Sequence, residues 1–161
     1  MKLLVSDANI FIDMDVAGII RLMFQLQDEI AVPDILYEEE LREHHPDLPG
    51  YGLRILPIKE KYMQEAYRLG DEYRATSHND LLALSLAKQE ACPLLSGDAA
   101  LRKAANSENV EVKGSLWLMG KLLDEGLITV EKAEKAYAVM KKEGRRLPWV
   151  EVKKQISSYK T

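Results

Sequence analysis

Four acidic residues occupy positions from which they could hold a cation between them. Asp7 closes the apolar start of "LLVSDANIFIDM" (3–14) and Asp98 follows "PLLSG" (93–97). Asp80 opens the apolar stretch of "HNDLLALSLAKQEA" (78–91), and Glu39 is the middle acid of "YEEEL" (37–41). Carboxylates packed together repel one another, and their pKa values rise unless a counter-charge is present. A hard divalent cation supplies that charge, and a donor set made only of oxygen selects Mg²⁺ or Mn²⁺ over zinc. Such an ion suits phosphodiester hydrolysis. Each acid also has a local explanation. Asp7 reads as a turn residue after a strand, Asp80 as the far end of a capping box begun by Ser77, Asp98 as a helix N-cap, and Glu39 as part of a solvated face. The two readings part on whether the fold brings the acids to one place.

The elements that must do this are legible in outline. "KLLVS" (2–6), "EIAVP" (29–33), "LRILPI" (53–58), "PLLS" (93–96) and "VEVKG" (110–114) read as short buried strands. Helices are expected over about 15–25, 34–44, 60–74, 77–91 and 98–105. Three more are expected over 115–125, 130–143 and 148–158, punctuated by Gly126, Gly144 and Pro148. "HHPDLPGYG" (44–52) reads as a loop. Strands alternating with helices predict an α/β fold, three layers α/β/α around a mainly parallel sheet of four to five strands. Right-handed crossovers put all strand C-termini on one edge, where such sheets form their ligand crevice. Asp7 and Asp98 follow strands directly, and the helix of Asp80 starts at the same edge. Val32, Ile35, Leu36 and Glu39 fall on one helical stripe, which favours Glu39 over its neighbours.

Composition narrows the class. The chain has 161 residues and 47% hydrophobic content, which predicts one folded domain, a core over about 1–112 and a helical part over about 113–161. No apolar run is long enough for a membrane helix, and Asp7 interrupts any signal-peptide core. The one cysteine, Cys92, fits a reducing cytoplasm and a packing role. Net charge is −4, yet residues 141–161 carry seven Lys or Arg against two Glu, leaving the rest strongly acidic. That basic end reads as solvated helix faces, an RNA rim or a protein-docking face. His44 and His45 read as exposed loop residues, and no glycine-rich phosphate loop is visible.

In order and spacing, "LLVSDANIFIDM", "VPDILYEEEL", "HNDLLALSLAKQEA" and "PLLSGDAALRKAA" resemble the four motifs of PIN (PilT N-terminus) domain nucleases, among them the toxins of VapBC-type pairs. "KGSLWLMGKLLDEGLIT" (113–129) resembles the C-terminal part of a bacterial and archaeal PIN subgroup. The resemblance implies a Mg²⁺- or Mn²⁺-dependent endoribonuclease that cuts single-stranded RNA and leaves a 5′-phosphate and a 3′-hydroxyl. Asp7, Glu39, Asp80 and Asp98 would be the catalytic acids, with Asp7, Asp98 and Asp80 holding metal. Ser96 would hydrogen-bond a carboxylate or a metal-bound water, and Asn9 would orient the Asp7 turn. Glu40, immediately before Leu41, rivals Glu39, since the family often shows Glu-Leu there. Arg102 and Lys103 would touch substrate phosphates. An antitoxin partner and a homodimer are implied. The alternatives are a stand-alone RNA-processing nuclease and a non-catalytic module of the same fold.

Overall fold

The computed structural model describes residues 2–160. Five strands form one parallel sheet in the order β3-β2-β1-β4-β5: β1 Leu3–Ser6, β2 Glu29–Pro33, β3 Arg54–Leu56, β4 Leu94–Leu95 and β5 Val112–Lys113. Val5 stands beside Ala31 on one side and Leu94 on the other. β1 is thus central, and Leu4, Val5 and Ser6 are buried, as a strand covered on both faces requires. The strand order reverses direction between β1 and β4. That reversal opens a crevice at the C-terminal ends of these two strands, where Asp7 and Ser96 lie.

Helices cover both faces of the sheet. α1 (Ala8–Val16) and α2 (Ile20–Met23) follow β1; α3 (Asp34–Leu36) and α4 (Leu48–Tyr51) flank the approach to β3. α5 (Glu60–Glu72) and α6 (His78–Glu90) lead into β4, and α7 (Ala99–Ser107) connects β4 to β5. α6 lies across β1, β2 and β4 with α5 over it. It is therefore enclosed on all sides, and every residue from Leu81 to Ala87 is buried. Its one buried hydroxyl, Ser85 Oγ, donates to the Tyr62 carbonyl at 2.5 Å. α8 (Ser115–Asp124), α9 (Val130–Lys142) and α10 (Trp149–Tyr159) complete the chain, with α8 and α9 packed on α1.

The expected three-layer α/β/α arrangement is the one observed, and the strands number five. Two local expectations need correction. The first helix does not begin near residue 15: it starts at Ala8, so β1 runs straight into it with Asp7 as N-cap rather than into a turn. The segment 44–52 is not all loop. Leu48–Tyr51 forms one helical turn with Pro49 early in it, and Gly52 closes it at φ +118°.

Candidate active site

Asp7 and Asp98 both cap the helices that follow them. Asp7 Oδ1 accepts from the Ile10 N–H at 3.1 Å, and Asp98 Oδ2 accepts from the Leu101 N–H at 2.8 Å. The capping role and a metal role are compatible, because each cap occupies one carboxylate oxygen. Ser96 ties the two together. Its hydroxyl donates to Asp7 Oδ2 at 2.6 Å and accepts from the Asp98 N–H at 3.1 Å. Asp7 and Ser96 are fully buried and Asp98 is half-buried.

The electrostatics identify a third member. Asp80 sits in the first turn of α6, where its N–H donates to Ser77 Oγ at 3.2 Å. Burial raises the Asp80 carboxyl to about 6, with the charges of Asp98 and Glu40 adding to the rise and a hydrogen bond with Ser77 opposing it. Burial likewise raises Asp7 to about 7. Hydrogen bonds from Ser96 and Ile10 oppose that shift, and the charges of Asp80 and Asp13 reinforce it. Asp7, Asp80 and Asp98 therefore share one neighbourhood, and none of them forms an ion pair among the described residues. This is an uncompensated negative centre built from hard oxygen donors.

Among the described residues no three His, Cys, Asp or Glu side chains form a ready-made metal cage. The donor set fits a cation that keeps most of its own waters and takes one or two carboxylates directly, which is the habit of Mg²⁺. The residues that would hold it are Asp7, Asp80 and Asp98.

The second-motif acid is placed differently from the stripe expectation. After α3 the chain forms a π-helical turn over Tyr37–Leu41, in which the Arg42 N–H donates to the Tyr37 carbonyl, five residues back, at 2.8 Å. A stripe extrapolated at 3.6 residues per turn fails across such a turn. Glu39 is exposed rather than on the buried face, and its Oε1 accepts from Asn79 Nδ2 at 3.2 Å. It is Glu40 whose charge reaches Asp80.

The remaining predicted residues divide. Asn9 is exposed on α1, and the Asp7 carboxylate is held by Ser96 and Ile10 instead. Arg102 is half-buried and its Nη1 donates to the Ser96 carbonyl at 2.8 Å, while Lys103 is exposed. Sequence reasoning missed Asp13. It is buried on α1, where its carboxylate accepts from Arg145 Nε at 2.6 Å and from Ser115 Oγ at 2.9 Å. A carboxylate between Ile10 and Met14 on a buried face was a visible signal, hidden because the helix was expected to start later.

A family model described as "DUF3368: PIN domain" matches residues 3–160. The chain belongs to the PIN-domain family. PIN domains are generally nucleases, which act as hydrolases on phosphodiester bonds. Among solved structures, the PIN-like fold recurs in a chain of VapBC2 from Rickettsia felis, bound to a DNA fragment from their promoter. The match has 16% identity and a TM-score of 0.50, and covers 70% of this chain and 98% of that one. No curated protein gives a significant match. Among the described residues of this PIN-domain protein, no helix is long and apolar enough to cross a membrane.

Proposed function

We propose that this PIN-domain chain is a metal-dependent endoribonuclease that cleaves single-stranded RNA, and that it acts as the toxin of a toxin–antitoxin pair. The observation that carries the reading is the uncompensated carboxylate centre at the β1–β4 crevice, where Ser96 joins Asp7 to Asp98 and Asp80 closes the group. When bound, Mg²⁺ or Mn²⁺ would activate a water and polarise a phosphate oxygen. Asp7 and Asp98, fixed by their caps, hold their oxygens in place without reorganisation. Asp80, in the first turn of α6 beside the charge of Asp98, would orient the attacking water. Glu40, on the π turn, acts on Asp80 through its charge, while Glu39 anchors Asn79. The antitoxin half of the proposal draws support from the fold shared with the VapBC2 chain. A protein antitoxin is the partner it names, and a second copy of this chain is the expected assembly.

The test is cleavage of a mixed single-stranded RNA pool with Mg²⁺ or Mn²⁺, against Asp7→Asn. The wild type should yield 5′-phosphate ends, EDTA should stop it, and Asp7→Asn should leave no detectable cleavage while retaining the fold by circular dichroism. Cleavage by Asp7→Asn at the wild-type rate ends this reading. Growth arrest on expression, relieved by the product of an adjacent gene, separates a toxin from a nuclease working alone.

A further inference from the structure

Beside Asp98 lies a small cleft of about 270 Å³, bordered by Asn9, Asp13, Gly97 and Arg146 among others. Asp13, Gly97 and Arg146 also border a larger cavity of about 570 Å³, so the two adjoin. That volume falls within the ~300–1,000 Å³ of small-ligand sites. Val112, Trp117, Leu147 and Pro148 contribute apolar lining to the larger cavity. Arg102, Lys113 and Arg146 contribute its cations.

These cations are not alike. Lys113 pairs with Glu111 at 2.9 Å, and its ammonium, like that of Lys121, stands 5.9 Å from the Trp117 ring centroid, a weak contact that a stacking base can displace. Arg102 spends one guanidinium nitrogen on the uncharged Ser96 carbonyl, and Arg146 is exposed; neither pairs with a carboxylate among the described residues. Asp13, the one acid in the lining, is already neutralised by Arg145. Gly114 makes room for this arrangement. A Cβ there would stand 3.1 Å from Arg102 Nη1 and 3.6 Å from the Ser96 carbonyl. The cavity therefore offers two uncompensated guanidinium groups together with apolar side chains, next to the cleft that borders Asp98. An anion bearing a flat apolar group matches both halves.

We infer that this cavity is a nucleotide subsite, in which Arg146 and Arg102 take a backbone phosphate next to the scissile one and the side chains of Trp117, Leu147 and Pro148 take the attached base. The inference rests on the nuclease reading for its substrate, a single-stranded polynucleotide. Arg146 is a binding residue in it, and the acids remain the catalytic ones.

The experiment measures binding of a fluorescein-labelled single-stranded RNA octamer, and of its DNA counterpart, to the whole chain in EDTA. Arg146→Ala should raise Kd about tenfold and lower the salt-dependence slope by about one. Arg146→Lys should recover part of the loss, and Lys142→Ala, an exposed cation outside the cavity, should change Kd less than twofold. Uridine 5′-monophosphate should shift the Trp117 indole N–H resonance, whereas inorganic phosphate should shift it far less. With metal present, Arg146→Ala should raise KM with kcat little changed. Equal losses for Arg146→Ala and Lys142→Ala, or an unmoved Trp117 resonance at saturating nucleotide, overturn the subsite. Weaker binding of RNA than of DNA leaves the subsite standing and assigns it to DNA. Arg146-dependent binding without any cleavage counts against the nuclease reading alone.

Discussion

Ser96 is the residue on which the acidic centre turns. It lies 89 positions from Asp7 in sequence, and its single hydroxyl serves as donor to one capping aspartate and acceptor from the backbone of the other. The same contact restrains the Asp7 pKa, which burial nevertheless lifts from 3.8 to about 7. Between those values the folded chain keeps a proton that the unfolded chain has released. Metal-free stability from this group is therefore greatest below about pH 4 and declines as pH rises to 7. Asp7→Asn removes that ionisation. In EDTA at pH 8 it should melt several degrees above the wild type, an effect on the order of 2 kcal/mol, and the difference should close toward pH 4. Added Mg²⁺ should raise the wild-type melting temperature and leave Asp7→Asn unmoved, since only a chain that binds the ion gains by mass action. Parallel melting curves for the two proteins across this pH range would show that Asp7 carries no buried charge.

Elements decide which acids reach the site. The enclosed helix α6 brings Asp80 to the crevice because its N-terminus, capped by Ser77, lies at the strand C-terminal edge. The π turn does the equivalent for "EEE" by shifting the helical phase, so that Glu39 meets Asn79 and Glu40 acts on Asp80. Glu40→Gln should therefore lower kcat for RNA cleavage by about tenfold, below the ~10²-fold or more lost with a proton-transferring group. Glu39→Gln should cost less than about threefold, because it removes one exposed contact. Single-turnover rates on one RNA substrate distinguish the two, and the opposite ranking would return the role to Glu39.

For the molecule as a whole, the junction between the acidic body and the basic C-terminal segment is an ion pair between buried Asp13 and half-buried Arg145. α9 ends at Lys142, and just beyond it Gly144, at φ +77°, turns the chain so that the next residue, Arg145, meets Asp13, 132 positions earlier. This pair, with Ser115 on the second oxygen, links α1, the start of α8 and the loop before α10. Arg145→Ala leaves Asp13 buried beside the Asp7 centre without its cation. It should cost about 3 kcal/mol, or roughly 6–12 °C in melting temperature. Adding Asp13→Asn in the same chain should recover much of that loss, as a double-mutant cycle by thermal melting would register. Strictly additive losses would show that the two residues act separately. A second charge network joins α5, α6 and the end of α7. Burial would raise the Glu108 carboxyl, but Tyr73, Lys88 and Arg68 hydrogen-bond it and hold it down at about 2. Its contribution is present above about pH 4.5 and is lost as pH falls toward 2, so Glu108→Gln should destabilise the chain at pH 7 and hardly at all at pH 2.

Much of this was legible in one dimension. Short apolar runs, Ser77 before an apolar helix and Pro33 ahead of α3 encode burial and capping locally, so the strands and most helices fall where their patterns put them. The parallel sheet then follows from the alternation of elements, and with it the shared edge of Asp7, Asp80 and Asp98. What the pattern did not carry was phase and distance. α1 is buried on most of its surface, so no amphipathic period marked its start at Ala8. A π turn changes helical phase without a distinctive residue, which is why the stripe pointed to Glu39. The meetings of Ser96 with Asp7 and of Arg145 with Asp13 join positions far apart in the chain. Local propensity sets which residues are buried and which cap a helix. Only the packing of whole helices against the sheet decides which of those residues touch.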